Sequence, residues 1–569
     1  MWHFGNTSVR SALRLREGLI ALKNSGKEGQ IRGKEGDQNF RDLLGNSQVV
    51  NLGNDDSFSV GRKWRSAMEK MGFINITLKG DDKSFQDNIG KPDYVSKNGQ
   101  RLIDAGDDIR GQNECFLRSL CAYYIDYEGI CSPFIFTLKI LNSLLEKFGD
   151  SKISMHEMAL IVQCSDPKSN TDEVVNSIVR FREKRKEADS KKKFDREYYH
   201  LKAKELNKKE STFRDYADTN FRYLKATGVI SSSGRGIAIV PEKLSIVKKI
   251  IQTEDVPNNN YERYKKLCLG SKLPTDNIEL AVNYYNDLKT LLLERGDSFN
   301  TSEIDNKDIE QINIEIRKLE DRLFQYKQID FAKEQKFKTK EISSYMEILL
   351  KPSSKTVKKI LDEETEIEIP AGERPVYFEW IIWRAFLAMY SVKDPWKGAR
   401  FKMDPADFKP VSHAPGGKAD FFIELENIIL VVEVTLRTSS NQEAYEGEPV
   451  RRHVAVAKEE YKNSNKKVFG LFIAISIDTN TANTFRLGEW YTKDDVKLEL
   501  DIVPLTLNEF KLIFDAVIDN PSRMLLYFEE FLEKCRADSK LEAPKWKKKI
   551  THNCNSLAEK LSSHNAILA

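Results

Sequence analysis

The most constraining feature of this sequence is a pair of apolar segments that predicts a two-stranded hairpin. Ala419–Leu425 forms the first predicted strand, Glu426 and Asn427 the turn, and Ile428–Leu436 the second strand. The second segment is almost continuously apolar, which is typical of a strand covered on both faces. Such a strand predicts a sheet that lies in the middle of a layered α/β domain.

Two acidic residues interrupt this apolar context. Asp420 stands at the start of the first strand, and Glu433 stands inside the second. Because an ionised carboxylate is rarely buried without a compensating charge, a divalent cation is one simple explanation. Two carboxylates on neighbouring strands can hold Mg²⁺ and leave positions open for water and phosphate. The alternative is that each acid pairs with an arginine or lysine, which is commoner for a single buried glutamate.

Further acidic residues favour the metal-dependent interpretation. Asp420 and Glu433 are the expected metal ligands, with the backbone carbonyl of Val434 as a third oxygen. Glu379, in the middle of the apolar helical segment GERPVYFEWIIWRAFLAMY, is expected to bind a second ion or a metal-bound water. His453 would relay a proton or bind phosphate. The remaining acids near the second strand are Glu446, which would complete the site or position a ligand water, and Glu448.

The order of these acids resembles that of the PD-(D/E)xK nucleases, which have a helix acid, a hairpin aspartate and then an acid-x-lysine pair. Here Glu433-Val434-Thr435 has threonine in place of the lysine. Threonine cannot supply a positive charge to a phosphate, so another residue must supply it. The candidates for this cation are Lys418, Arg437, Arg452 and His453.

The predicted elements divide the 569 residues into four regions. Residues 1–165 and 166–256 are mainly helical with short hairpins, in the outline of winged helices. Residues 257–342 carry long charged helices and predict a helical linker, with a coiled-coil partner site as the alternative. Residues 343–569 give the order helix, strand, strand, helix, strand, strand, which predicts a mixed sheet flanked by helices.

The clearest winged-helix pattern lies in the second region. Ser211–Thr227 predicts a helix that ends at Gly228, and Val229–Val240 predicts a hairpin with Arg235 at its tip. A weaker copy in the first region has a helix followed by strands at Ile74–Lys79 and Asp93–Ser96.

The excess of lysine and arginine from about Phe181 to Ile251 favours a polyanion such as DNA as the partner, with a solvated basic surface as the alternative. Residues 1–50 are polar, Gly-rich and basic, and predict a loose arm along DNA phosphates, with a surface-draped terminus as the alternative. Lys63, Arg65 and Lys70 are expected on the exposed face of one helix. The candidate DNA contacts are Arg10, Arg14, Lys63, Arg65, Arg214, Arg222, Lys225 and Arg235.

The seven cysteines are scattered and form no CxxC pair, which is typical of reduced thiols in a cytoplasmic protein. The start lacks an apolar signal core, and no segment approaches membrane-spanning length. A cytoplasmic protein without membrane association is expected.

The segment HAPGGKADFFIELENIILVVEVTLRTSSNQ, followed by EGEPVRRH, resembles the Type IIS restriction endonucleases of the AlwI, PleI and MlyI group and their nicking relatives. FEWIIWRAF, around Glu379, and the opening WHFGNTSVRS are similar to the same group. The group shares the Glu-Val-Thr ending, so the missing lysine is a family trait. The resemblance covers most of the chain and is most specific in residues 343–569.

The resemblance implies a restriction-endonuclease-like fold in that last region. It implies Mg²⁺-dependent cleavage a few base pairs to one side of a short asymmetric duplex site, of the GGATC type if the enzyme is AlwI-like. It also implies a companion DNA methyltransferase and, for double-strand cleavage, a transient homodimer through the cleavage domain. A strand-specific nicking enzyme and a catalytically inactive DNA-binding regulator are the alternatives. The family's active-site positions fall on Glu379, Asp420, Glu433, Glu446 and His453.

Overall fold

The computed structural model divides the chain into two compact units, Met1–Arg322 with Pro405–Asp407, and Leu323–Asp404 with Phe408–Ala569. The boundary falls within the region 257–342 that the sequence predicted as a linker. No helix in the described parts is long and apolar enough to cross a membrane. The described residues are 1–9, 11–50, 52, 59–77, 83–233, 235–297, 308–362, 365–370, 372–390, 392, 394–404, 407–412, 417–438, 441–518, 524 and 527–563.

The first unit is mainly helical, with short antiparallel pairings of strands. Its helices are α1 (Leu15–Asn24), α2 (Gly33–Asn46), α3 (Ser59–Lys70), α4 (Lys83–Ile89), α5 (Lys97–Asp104), α6 (Ile109–Cys121), α7 (Pro133–Phe148), α8 (Met155–Leu160), α9 (Thr171–Glu187), α10 (Lys191–Glu205), α11 (Glu210–Lys225), α12 (Leu244–Gln252), α13 (Asn260–Leu269) and α14 (Ile278–Glu294), and α15 (Ile309–Glu334) contains the boundary. Its strands are β1 (Ile125–Asp126), β2 (Ile130–Cys131), β3 (Ile153–Ser154), β4 (Ile230–Ser233) and β5 (Gly236–Ile239).

The prediction of a loose N-terminal arm is wrong. Trp2 and Phe4 are buried, and the Phe4 amide donates a hydrogen bond to Oδ1 of Asn220 at 2.9 Å. Helices α1 and α2 follow, and each buries an apolar face that the Gly-rich, basic composition obscured. Arg14 donates to Glu17 at 3.1 Å, whereas Arg10 lies outside the described residues.

The exposure predicted for helix α3 is also wrong for Arg65. The side chain of Arg65 is buried, with Nη2 3.1 Å from Asp37 Oδ1, because α3 packs its apolar face inward and Arg65 borders that face. Lys70 is half-buried and its pKa is lowered by that burial. Lys63 is half-buried too. The basic residues of α3 therefore do not form an open cationic face.

The first predicted pair of strands is reduced to one antiparallel bridge between Ile74 and Val95. Leu78 and Lys79, at the end of the first of these predicted strands, lie outside the described residues. Three backbone hydrogen bonds still join the two segments, from Asn75 to Tyr94 at 2.8 Å, from Asp93 to Asn75 at 2.9 Å and from Ser96 to Phe73 at 3.0 Å.

The second predicted helix and hairpin are present as α11, β4 and β5. Gly228 has φ +69°, a conformation that favours glycine and ends a helix. The hairpin pairs Ile230 with Ile239, and β3 completes a three-stranded sheet in the order β3-β5-β4. Ser154, at the end of β3, caps α8 in a capping box with Glu157.

The second unit is built on a mixed four-stranded sheet. Its helices are α16 (Thr339–Leu350), α17 (Arg374–Met389), α18 (Pro395–Gly398), α19 (Glu448–Glu460), α20 (Thr479–Leu487), α21 (Leu507–Ala516), α22 (Phe528–Ala537) and α23 (Ala543–Ser563). Its strands are β6 (Val357–Ile360), β7 (Glu366–Ile369), β8 (Lys402–Met403), β9 (Pro410–Ser412), β10 (Phe421–Glu424), β11 (Ile428–Thr435), β12 (Lys467–Ala474), β13 (Glu489–Tyr491), β14 (Lys497–Glu499) and β15 (Asp501–Thr506).

The main sheet has the order β10-β11-β12-β15. Strand β10 is antiparallel to β11, while β12 and β15 run parallel to β11. The mixed sheet that the sequence predicted is therefore confirmed. The start of β10 lies at the same end of the sheet as the last residues of β11, β12 and β15, and this end is called the edge of the sheet below. Side chains at that edge belong to distant parts of the sequence but share one end of the sheet.

Helix α17 supplies much of the core around this sheet. Its residues from Val376 to Met389 are all buried, and it packs against β10 and β11. A helix that is apolar on every side needs such enclosure. Glu379 is therefore held inside the unit, 6 % exposed.

Candidate active site

Two carboxylates lie side by side at the edge of the sheet. Phe421 pairs with Val432, so the antiparallel register places Asp420 opposite Glu433. The Val434 amide donates to Oδ2 of Asp420 at 2.7 Å. Like charges directly opposite on neighbouring strands repel each other. The fold thus brings two acids together at a place where both cannot be ionised without cost.

The pKa values of both acids reflect this repulsion. The pKa of Asp420 is raised well above its usual range by burial and by the charges of Glu433 and Glu379. The pKa of Glu433 is raised by burial and by Glu446 and Glu379. The charges of Glu379 and Glu446 act on both members of the pair, so these two acids lie within electrostatic range of Asp420 and Glu433.

His453 joins the same site through Glu433. Helix α19 buries the ring and places Nδ1 2.5 Å from Oε1 of Glu433. Burial, with a smaller contribution from the charge of Arg452, lowers the pKa of His453. The ring is therefore neutral at neutral pH. The contact with Glu433 fixes the orientation of the ring.

Glu446 is presented by an unusual turn. The residues Glu443–Gly447 form a π-helical turn immediately before α19, and such turns are frequent at functional sites. Oε1 of Glu446 accepts a hydrogen bond from the Thr435 hydroxyl at 2.8 Å. Thr435, which stands where the nuclease motif has lysine, is thus a hydrogen-bond donor to an acid of the site.

One residue of this region was missed by the sequence analysis. Gln442 is fully buried, and its Nε2 donates to the carbonyls of Arg437 and Ser476 at 2.8 and 2.9 Å. Its Oε1 accepts from the Asp478 amide at 2.9 Å. These bonds fasten the segment after β11 to the segment after β12. A glutamine between polar residues gives no sequence signal of such a role.

A magnesium ion fits the donors at this edge. Among the residues that the structure describes, no three His, Cys, Asp or Glu side chains form a ready-made metal cluster. Mg²⁺ does not need one, because it is usually held by one or two carboxylates and keeps several waters or takes substrate phosphate. The adjacent carboxylates of Asp420 and Glu433 are such a pair, and a cation would relieve their repulsion.

Four predicted DNA-contacting residues lie on α11 and the β4–β5 hairpin. Arg214 is exposed, whereas Arg222, Lys225 and Arg235 are half-buried. Lys225 Nζ lies 3.3 Å from the Ser232 hydroxyl and so links the helix to the hairpin. The basic groups of both elements therefore belong to one continuous part of the first unit.

Two solved structures resemble parts of the chain. One is the small subunit (R.BspD6I2) of the heterodimeric restriction endonuclease R.BspD6I, with 25% identity over 38% of this chain and 98% of that chain and a TM-score of 0.28. The other is the BpuJ1 endonuclease binding domain in complex with pyrene- and phenanthrene-modified DNA, with 13% identity over 41% of this chain and 86% of that chain and a TM-score of 0.28. TM-scores this low do not establish a shared fold. No curated protein matches the sequence.

The match to a protein family is far more extensive, and it places the chain in the class of site-specific DNA endonucleases. The family described as AlwI restriction endonuclease matches residues 69–513, which are 445 of the 569 residues. The chain therefore belongs to the AlwI restriction endonuclease family. The family resemblance predicted from the hairpin and the helix around Glu379 is confirmed.

Proposed function

We propose that this protein is a Type IIS endonuclease that hydrolyses DNA phosphodiester bonds with Mg²⁺, a few base pairs outside a short asymmetric site. The observation that carries the proposal is the pair formed by Asp420 and Glu433. Neither carboxylate has an arginine or lysine within ion-pair distance among the described residues, and the pKa of each is raised. A structural ion pair would lower the pKa of an acid instead.

The side chains around this pair divide the work of hydrolysis. Asp420 and Glu433 would hold the ion, and Mg²⁺ when bound would supply a polarised phosphate and an acidified water. His453 would relay a proton, and the contact between its Nδ1 and Glu433 would keep the ring oriented for that transfer. Glu446 and Glu379 would orient water at the edge of the site. Each of these roles uses a side chain whose position the fold fixes.

The first unit would read the DNA. The basic side chains of α11 and of the β4–β5 hairpin suit a winged-helix-like contact, with a helix in the major groove and a hairpin on the backbone. A reader in one unit and a cutter in the other account for cleavage outside the site. A GGATC-type site is the proposed target, and a companion methyltransferase would protect the host DNA.

A single site of this kind cuts one strand. Double-strand cleavage would then require a transient homodimer of the second unit, and a strand-specific nicking enzyme is the second candidate. Two carboxylates and one histidine per chain favour neither outcome, so the products must be determined directly.

The test is to incubate the protein with Mg²⁺ and supercoiled plasmid and to map the ends. Linear products with ends at a fixed offset from a common sequence are expected; open circles with one mapped nick would identify a nicking enzyme. Glu433→Gln should abolish both. Glu424→Gln, which removes an exposed acid of β10 paired with Lys466 at 2.9 Å, is the matched control and should cut normally. Intact plasmid with the wild-type protein over a range of Mg²⁺ concentrations would overturn the proposal.

A further inference from the structure

The nuclease motif has a lysine beside its acids, but this chain has the uncharged Thr435 at that position. A phosphate bound at this site still needs a cation. Thr435 is buried and its hydroxyl is fully engaged, because it donates to Glu446 at 2.8 Å and accepts from the Arg437 amide at 3.3 Å. The same hydroxyl thus organises an acid of the site and the backbone of the next basic residue. The next basic residue is Arg437, which lies two residues after the motif position.

The backbone of Arg437 is held from both sides. Its amide bonds to Thr435 and its carbonyl accepts from the buried Gln442 at 2.8 Å. A long side chain on a fixed backbone can be placed accurately although the residue itself is exposed. Arg437 therefore starts from a defined point at the edge of the sheet.

The guanidinium of Arg437 is positioned without being neutralised. It stacks over the Tyr445 ring at 4.2 Å and its Nε lies 3.5 Å from Oε1 of Glu446. That oxygen makes its shorter hydrogen bond to Thr435, and the Arg437 side chain is 51% exposed, so the ion pair is weak. Tyr445 is itself 57% exposed, so its ring is a platform that holds the guanidinium at the surface.

The other three candidate cations are less suited to a phosphate. Arg452 donates to Glu448 at 2.9 Å. His453 is neutral and bonded to Glu433. Lys418 makes no ion pair with any described carboxylate and so has nothing in the described structure that orients it toward the acids. Only Arg437 combines a fixed backbone, an oriented charge and contact with an acid of the site.

We propose that Arg437 is the cation that replaces the motif lysine and binds the scissile phosphate, presented by Tyr445 and fastened by Thr435 and Gln442. The inference rests on the proposed nuclease function and adds a residue to its site. A guanidinium gives phosphate two parallel hydrogen bonds where lysine gives a point charge. Arg437 would contribute most as negative charge accumulates on the phosphate during water attack.

The experiment compares Arg437→Gln, Arg437→Lys and the control Lys467→Gln in the full chain. Lys467 lies at the start of β12, at the opposite end of the sheet, and its side chain is 59% exposed and paired with Glu533 and Glu529. Removing it changes the net charge by the same amount as Arg437→Gln. Plasmid cleavage with Mg²⁺ gives kcat and KM, and binding of the mapped duplex with Ca²⁺ in place of Mg²⁺ gives affinity against salt.

For Arg437→Gln we expect kcat to fall by roughly 10²- to 10³-fold, while KM rises by a few-fold at most. The slope of log affinity against log salt should fall by about 1, which corresponds to the loss of one phosphate contact. Arg437→Lys should recover part of kcat. Lys467→Gln should match wild type in both assays. Tyr445→Leu, which keeps the charge but removes the platform, should lower kcat by a smaller, several-fold factor, whereas Tyr445→Phe should not.

Two variants separate the outcomes. If Glu433→Gln is inactive but Arg437→Gln keeps the kcat of the wild type, this inference is overturned and the nuclease proposal stands. A loss of kcat that Arg437→Lys does not recover, together with a lowered melting temperature, would also overturn it, because a purely structural role predicts that result. If wild type and Glu433→Gln both leave the plasmid intact, the proposed function itself fails.

Discussion

The two units treat buried acids in opposite ways. In the first unit, three buried acids each accept two hydrogen bonds from an arginine. These pairs are Asp93 with Arg32 at 2.9 and 2.7 Å, Glu157 with Arg182 at 2.8 and 3.0 Å, and Asp195 with Arg185 at 2.7 and 3.0 Å. In the second unit Asp420 and Glu433 face each other instead.

The contrast separates structural acids from chemical ones. A buried ion pair is destabilised strongly when one partner is removed, because the other charge is left unpaired. A pair of facing acids is already strained, so removing one charge relieves the strain at the cost of function. Removing one charge should therefore lower the stability of a structural ion pair and raise the stability of a pair of facing acids. This sign distinguishes the two kinds of site better than burial does.

The largest expected effect is on catalysis. Asp420→Asn should lower plasmid cleavage by at least about 10³-fold, since an amide is a poor ligand for a hard cation and cannot replace the charge. Affinity for the mapped duplex in Ca²⁺ buffer should change little, because the first unit is proposed to provide recognition. Cleavage within tenfold of wild type would show that Asp420 does not belong to the site.

A smaller loss is expected in the stability of the first unit. Arg185→Gln leaves Asp195 without its cation, and the free energy of unfolding of α9 and α10 should fall by about 2 kcal/mol, less than for a fully buried pair because Arg185 is 28% exposed. Hydrogen exchange of peptides from these helices measures it locally. Unchanged exchange would mean that this pair is not structural.

Asp420→Asn should shift stability in the other direction. Without Mg²⁺ the variant should be more stable than wild type by about 1 kcal/mol, because the opposed charges are gone. The folded-state pKa of Asp420 is raised, so the wild type loses stability as pH rises from the unfolded pKa through the folded one. The gain should thus be small near pH 4 and grow toward neutral pH. A urea series at several pH values, followed by tryptophan fluorescence, tests both the sign and the trend.

The smallest expected effect concerns DNA binding by the first unit. Arg235→Gln should weaken duplex binding a few-fold and lower the slope of log affinity against log salt by about 1. Lys318→Gln is a suitable control, since that side chain is 64% exposed and lies on α15 beside Glu315. An unchanged slope for Arg235→Gln would place the hairpin tip away from phosphate.

Strong periodicity and caps made much of the fold predictable from the sequence. The continuous apolar run of β11, the apolar helix α17 and the capping box at Ser154 each specify one local structure. Weak patterns did not: the bridge at Ile74 and the folding of residues 1–50 depend on packing against distant segments. Arg65 was misplaced because its neighbour in space, Asp37, is far from it in the sequence.

The acids of the candidate site could be selected from the sequence because a charge in an apolar segment is conspicuous. The proximity of Asp420 to Glu433 follows from the register of β10 and β11, which the short turn between them determines. Gln442 and the stacking of Arg437 on Tyr445 could not be found this way. Tyr445 lies within a π-helical turn and Gln442 lies directly before it, and such a turn has no periodicity that single residues disclose.

The turn at Glu443–Gly447 also makes the length of this segment critical. An α-helix advances about 100° per residue, so the loss of one residue here would let α19 continue regularly and swing Glu446 away from Thr435 by that angle. Because α19 buries Val450 and Val454 in the core, the helix itself should keep its place. Losing a single codon here should thus disarm the proposed site while the chain still folds, which makes the length of this turn a feature to compare among related genes.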